Sequence, residues 1–167
     1  MASPLLVNAH ELLRRPGTDK PITFDLTVAE LDIDDARLPA DGLVAIELRL
    51  ESLSDGIVVD GRISVPWSAD CRRCLEPARG VTVSEVHELY QVVLTDPDAF
   101  EIVGDQIDLR PLVRDLALLD APIAPICSAT CAGLCAVCGS NRNTDPCSCN
   151  TATVDPRWAG LEGFHVD

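Results

Sequence analysis

The chain has 167 residues, of which 47% are apolar, with 27 acidic side chains against 13 basic ones and eight cysteines. That length suits one buried core with a small appendage, and the apolar content excludes a disordered acidic tail. A formal net charge of −14 repels phosphate backbones, which excludes general nucleic-acid affinity as the mode of action.

The longest apolar runs fall well short of the roughly 18 residues that a membrane span requires. In Met1–Arg15 the arginines follow a short apolar patch, the reverse of a secretory signal. A soluble, cytoplasmic protein with no membrane partner is expected. Between Arg79 and Arg110 there is no basic residue, while Glu85, Glu88, Asp96, Asp98, Glu101, Asp105 and Asp108 all fall in that interval. A second acidic run covers Asp25, Glu30, Asp32, Asp34, Asp35 and Asp41. Such surfaces either keep a small domain soluble or receive a basic protein.

In chain order, Asn8 and Glu11 have capping-box spacing and predict a short helix that Pro16-Gly17 stops. Ile22, Phe24 and Leu26 alternate with polar residues, as a half-buried strand does. Ile46, Leu48 and Leu50 form a second strand. The turn at Asp55-Gly56 leads into a long third one, with Ile57, Val59, Ile63, Val65 and Trp67 on one face. Pro66 is expected at an edge or near the end of that arm. A second hairpin is predicted across Cys71–Pro77. Beyond it, Val81 and Val83 resume the apolar alternation and Val86, Leu89, Tyr90, Val92 and Val93 continue it out of phase, a slip that a bulge near Glu85 would explain. Thr95–Gln106 reads as an exposed acidic loop. Asp108 then caps a helix with Leu109, Leu112, Val113, Leu116 and Leu119 on one stripe, ended by Pro122. Past Pro125 the chain is short of large apolar residues. The expectation is an α+β fold: an antiparallel β-sheet or partly closed barrel with two short helices over 1–125, and a C-terminal cysteine-rich zinc module with its tail over 126–167.

The cysteines stand at 71, 74, 127, 131, 135, 138, 147 and 149. In a reducing compartment such a cluster points to metal rather than disulfides. Four thiolates suit the tetrahedral, redox-inert zinc ion, and a Cys-x-x-Cys turn places two sulfurs on one ion without strain. Cys71-Arg72-Arg73-Cys74 and Cys135-Ala136-Val137-Cys138-Gly139 both have that spacing. The pairing that uses all eight joins Cys135, Cys138, Cys147 and Cys149 in one site and Cys71, Cys74, Cys127 and Cys131 in another, with one or two structural zinc ions. Two alternatives stay open: Cys127 or Cys131 joins the C-terminal cluster, or Cys71 and Cys74 form a free dithiol. Arg72 and Arg73 would lower a thiol pKa, but a thioredoxin-like dithiol needs a helix after the motif, and Leu75-Glu76-Pro77 does not offer one. His10, His87 and His165 have no ligand spacing, and no phosphate-binding loop or nucleophile elbow occurs. No enzyme and no small-molecule substrate are expected.

Several segments together resemble a known family. They are Val65, Cys71-Arg72-Arg73-Cys74-Leu75-Glu76-Pro77, the Ile107–Leu119 segment leading to Pro122, the string Cys127-x3-Cys131-x-Gly133-Leu134-Cys135-x-x-Cys138-Gly139-x-Asn141-x-Asn143-x3-Cys147-x-Cys149, and Asp155-Pro156-Arg157-Trp158-Ala159. This pattern is similar to the YceD family, the large ribosomal RNA subunit accumulation proteins of bacteria and plastids. Arg142 and Trp158 depart from it, since apolar residues are common at those places. The resemblance implies a non-enzymatic ribosome-biogenesis factor needed for accumulation of large-subunit (23S) rRNA, whose C-terminal module is accessory to a shared core. A −14 chain meets a large-subunit assembly intermediate in one of two ways. Either its acidic face holds a basic ribosomal protein or assembly factor, or a local basic spot of Arg72, Arg73, Arg79 and Arg142 touches 23S rRNA. Charge favours the first, and these arginines equally serve to offset thiolate charge. The competing class is a redox-sensing zinc protein that releases metal on oxidation; a zinc-stapled transcription factor is disfavoured by the acidity.

Overall fold

The computed structural model describes residues 5–150 and 156–161. They group into two compact units: Met1–Ala69 with Ala78–Ile123, the sheet unit, and Asp70–Pro77 with Ala124–Asp167, the cysteine unit.

Alternation builds the sheet. Strand β2 (Asp19–Thr27) pairs antiparallel with β3 (Leu43–Ser52), and β3 with β4 (Ile57–Asp70). The inward residues Val44, Ile46, Leu48, Leu50, Ile57, Val59, Ile63 and Val65 are all buried. Each such side chain contributes about 1.5–3 kcal/mol when fully buried. The opposite face is polar, with Arg62 to Glu47 at 2.6 Å and Arg49 to Asp19 at 3.1 Å. Pro66 lies past Ser64, the last β4 residue paired with β3. There the Ser68 N–H is taken by the Arg37 carbonyl at 2.8 Å, so the missing proline N–H costs nothing.

β4 turns into the long strand β5 (Pro77–Gln91). Asp60 meets His87 at 2.5 Å, and a Cβ at Gly80 would lie 2.7 Å from the Trp67 ring. These contacts are seven residues apart on both strands, as an antiparallel hairpin places them. Ala78, Ser84, Val86 and Tyr90 face the core, whereas Val81 and Val83 are 61% and 54% exposed. The apolar alternation of those two valines thus lies on the outer face. Small residues occupy the inner positions because Trp67 covers Gly80 and the Asp120 carboxylate accepts the Ser84 hydroxyl.

The sheet order is β2-β3-β4-β5-β6, and it is open. The partly closed barrel is thus corrected: β6 (Phe100–Glu101) is two residues long, runs parallel to β5, and is too short to close on β2. It falls within the segment expected to be an acidic loop, where Phe100 stacks on Tyr90 at 5.0 Å and Ile102 is buried. A further two-stranded ribbon joins β1 (Leu6–Asn8) to β7 (Gln106–Asp108) across a hundred residues of chain.

Helix α1 spans His10–Arg14. The capping box expected of Asn8 does not form, because Asn8 ends β1 and its Oδ1 accepts the His10 N–H at 3.0 Å, one residue before the N-cap Ala9. The box occurs instead at Thr27 and Glu30, opening a 3-10 turn over Val28–Leu31. Helix α2 spans Arg110–Leu119. Asp108 accepts the Arg110 N–H at 2.9 Å, and Leu109, Leu112, Val113 and Ala117 make the buried stripe. Leu119, expected on that stripe, is 77% exposed, since Ala117 at i+4 from Val113 takes its place. Arg37 donates to the carbonyls of Leu118 and Ala121 at the C-terminal end of α2, where a cation offsets the helix dipole. Its hydrogen bonds hold the Asp35 carboxyl well below the usual range, at about 2. No helix among the described residues is long and apolar enough to cross a membrane.

Candidate metal centres

Among the described residues, the hydrophobic core cluster lies wholly in the sheet unit. The buried apolar side chains described in the cysteine unit are Cys71, Cys74, Cys131, Cys135 and Pro125.

Two short turns organise it, and they share one hydrogen-bond pattern. In the first, the Cys71 N–H donates to the Glu76 carbonyl at 2.8 Å, the Leu75 N–H to the Cys71 carbonyl at 2.9 Å, and the Arg73 N–H to the Cys71 sulfur at 3.5 Å. In the second, the Cys135 N–H donates to Ser140 at 2.8 Å, Gly139 to Cys135 at 2.9 Å, and Val137 to the Cys135 sulfur at 3.4 Å. Position five is left-handed in both, at φ 62° for Leu75 and 75° for Gly139. Glycine adopts that conformation freely, whereas leucine does so at a cost of the order of 1 kcal/mol. Each turn exposes backbone N–H groups to its first sulfur, the arrangement that favours a thiolate.

Around these turns the eight sulfurs, all free thiols, form two groups of four. Cys71, Cys74, Cys127 and Cys131 make one; Cys135, Cys138, Cys147 and Cys149 make the other. In each, the sulfurs lie within 4.8 Å of one another and can hold a metal ion. In the first group Cys71 and Cys131 are 3.8 Å apart and Cys74 and Cys127 are 3.6 Å apart. That group is largely buried, with Cys127 exposed; in the second only Cys135 is buried.

The electrostatics of both groups is divided. Burial opposes ionisation of Cys71, but N–H groups of Cys127, Arg73 and Cys74 outweigh it and bring the thiol down to about 6. The Glu76 N–H favours the Cys74 thiolate, yet burial and the sulfurs of Cys71, Cys127 and Cys131 push that thiol up to about 12. The N–H of Cys149 brings Cys147 down to about 6, while the sulfurs of Cys138 and Cys147 raise Cys149 to about 12. Four thiolates this close repel one another, and only a cation among them lets all four ionise.

Two asparagines, singled out in the motif but given no role there, tie the segment after the second turn to the first group. Asn143 donates from Nδ2 to the Cys131 sulfur at 3.5 Å and accepts the Ala132 N–H at 2.7 Å. Asn141 accepts from Asn143 at 2.8 Å and donates to Glu76 at 3.4 Å. The spacing Gly139-x-Asn141-x-Asn143 is the signal that could have identified them. The backbone between is a small ladder: Leu134 donates to Arg73 and Arg142 to Gly133, both at 2.9 Å.

The candidate arginines divide. Arg79 lies on β5 in the sheet unit, whereas Arg72, Arg73 and Arg142 are exposed residues of the cysteine unit. Arg73 donates to the Cys131 carbonyl at 3.1 Å, which sets its positive charge beside the first sulfur group. Charge is unequal between the units. The sheet unit holds nine basic and 21 acidic residues, a formal −12, against −2 for the cysteine unit. Asp155 of the terminal motif lies outside the described residues; Pro156–Leu161 forms a 3-10 turn.

The family model for the large ribosomal RNA subunit accumulation protein YceD matches residues 59–165, which include all eight cysteines. An uncharacterized protein of Mycobacterium tuberculosis is 33% identical over 173 residues, covering 96% of this chain and 81% of the relative. One of Mycobacterium leprae is 30% identical over 171 residues, covering 96% and 77%. The chloroplastic large ribosomal RNA subunit accumulation protein YCED homolog 1 of Arabidopsis thaliana is 36% identical over 56 residues, covering 34% of this chain and 17% of that protein. No solved structure matches the chain. With the model spanning both sulfur groups and both turns, the chain belongs to the YceD family of large ribosomal RNA subunit accumulation proteins.

Proposed function

We propose that the chain is a non-enzymatic factor of the cytoplasm that supports accumulation of large-subunit (23S) rRNA by binding an assembly intermediate. On this reading the cysteine unit is a docking module folded around two structural zinc ions, and the sheet unit receives a basic ribosomal protein or assembly factor.

The observation that carries the proposal is the pair of four-sulfur groups within the family match. A zinc–sulfur bond of about 2.3 Å gives a tetrahedral sulfur–sulfur edge of about 3.8 Å. The 3.6 and 3.8 Å separations in the first group fit that edge. Four protein sulfurs also close the coordination sphere, whereas a hydrolytic zinc keeps a position for water. That supports a structural role and a protein that works by binding. The −12 of the sheet unit supports a basic partner over bare RNA.

Depleting the protein is expected to lower mature large-subunit rRNA, and the protein is expected to co-sediment with large-subunit precursors. Migration free of every particle, together with normal rRNA in a deletion strain, overturns the proposal.

The asparagine link gives a narrower expectation. Outer contacts of this kind are worth about 10–100-fold in metal affinity. Asn143→Ala should therefore weaken zinc at the Cys71, Cys74, Cys127, Cys131 group by about tenfold or more, read by competition with a chromophoric chelator. The other group should keep its affinity. Equal weakening of both would show that Asn143 supports the whole unit rather than one site.

A further inference from the structure

Away from the cysteines, the sheet unit carries a surface groove of about 570 Å3 between the β3–β4 turn and the bend that follows β5. It is lined by Leu13, Leu53, Val92 and Val93, with Asp55 and Asp105 on its walls and no lysine or arginine among the described lining residues. Val92, Val93 and Leu94 are 56%, 73% and 52% exposed, and Leu53 is 41% exposed. Consecutive exposed apolar residues rimmed by charge mark an interaction surface rather than an ordinary strand end.

The walls are held rigid by one buried side chain. Gln91, 2% exposed, accepts the N–H groups of Thr95 and Asp96 at 3.0 and 3.1 Å and the Thr95 hydroxyl at 3.2 Å. Its amide also donates to the Asp55 carbonyl at 3.2 Å, so one residue fixes both sides of the groove. A Cβ at Gly56 would stand 2.5 Å from the Tyr90 carbonyl, so the turn packs directly on the end of β5. Asp105 is held by His10 at 2.8 Å and by the Ala9 N–H at 2.9 Å. A preorganised groove spends little of its binding energy on ordering itself.

We propose that this groove docks a lysine- or arginine-rich protein segment that inserts one large apolar side chain between Leu53 and Val93. Charge complementarity selects that occupant. Asp55 and Asp105 flank the apolar lining, and the wall at 92–95 lies in the stretch between Arg79 and Arg110 that has no basic residue. The same field repels a nucleic-acid strand. The proposal rests on the binding-factor reading above and names the chemistry of its partner.

The test uses the full chain and two fluorescent lysine–serine peptides, one with a central tryptophan and one with serine in its place. The tryptophan peptide should bind about tenfold tighter by anisotropy, as burial of one anchor allows. In Leu53→Ser/Val93→Ser that difference should vanish, leaving weak, salt-sensitive binding, while Val81→Ser on the outer sheet face should change nothing. Both sites are solvent-exposed, so the variants keep their fold. Equal affinity of the two peptides, or a difference that survives in the double variant, overturns the proposal. So does a loss of self-association in the double variant, since the groove would then belong to a second copy. In cells, wild type that rides on precursors together with a double variant that also rides on them refutes the groove alone. Wild type absent from all particles refutes the assembly reading and leaves the peptide result standing.

Discussion

Stripping zinc from the full chain with a strong chelator is expected to unfold the cysteine unit while the sheet unit stays folded. The buried apolar side chains of that unit, among those described, are four cysteines and Pro125, too little hydrophobic burial to offset the entropy of ordering it. A structural zinc supplies about 10–16 kcal/mol at neutral pH, and without it the unit loses its main source of stability. The sheet unit has its own core from Leu5 to Ala121. Amide signals of Ala132–Asn143 should therefore collapse into the unfolded region of a proton–nitrogen spectrum, with those of Val44–Leu50 and Ile57–Val65 unmoved. Acidification should act in the same direction, because protons compete with metal for thiolates. A spectrum unchanged by chelation would mean that the sulfurs hold no metal that matters to the fold.

Gly61→Ala is expected to cost about 3 kcal/mol or more, a large share of the 5–15 kcal/mol that a domain of this kind has. Gly61 pairs with Leu48 at the centre of the β3–β4 ladder, between the fully buried Val59 and Ile63. Its φ is +143°, and a Cβ there would collide with the backbone carbonyl of Glu47. Both strands are pinned by core side chains, so neither can move away cheaply. The loss is read as a lower denaturant midpoint for the sheet unit, or as failure to fold. A stability within about 0.5 kcal/mol of wild type, the range of ordinary surface changes, would show that the ladder opens at that position without penalty.

The parts of the fold that were readable from sequence are those whose pattern is local. Val44 to Leu50 and Ile57 to Val65 alternate cleanly because one face meets the core and the other meets water, and they form the central strands. In β5 the apolar valines Val81 and Val83 face water, while glycine and serine face inward beneath Trp67 and Asp120, the reverse of what their hydropathy predicts. Hydropathy cannot report that reversal, which is set by cross-strand partners. β1, β6 and β7 are two or three residues long and owe their existence to distant pairing, so no periodicity announces them. Thr27 and Glu30 carry the same capping-box spacing as Asn8 and Glu11. That second pair fails because Asn8 is already engaged in β1.

In the candidate site, spacing alone identified the two turns, since a Cys-x-x-Cys dictates its own local geometry. The grouping of Cys71 and Cys74 with Cys127 and Cys131 depends on the ladder from Arg73 through Leu134 to Asn141, which links segments sixty residues apart. The roles of Asn141 and Asn143 emerge only once that ladder is formed.

Elemental analysis of the full chain, purified anaerobically without added metal, tests the foundation of this account most directly. Two zinc ions per protein are expected, falling to one in Cys71→Ser with the Cys135 group still loaded. Wild-type protein that folds and reaches its ribosomal precursors with no zinc bound would contradict it.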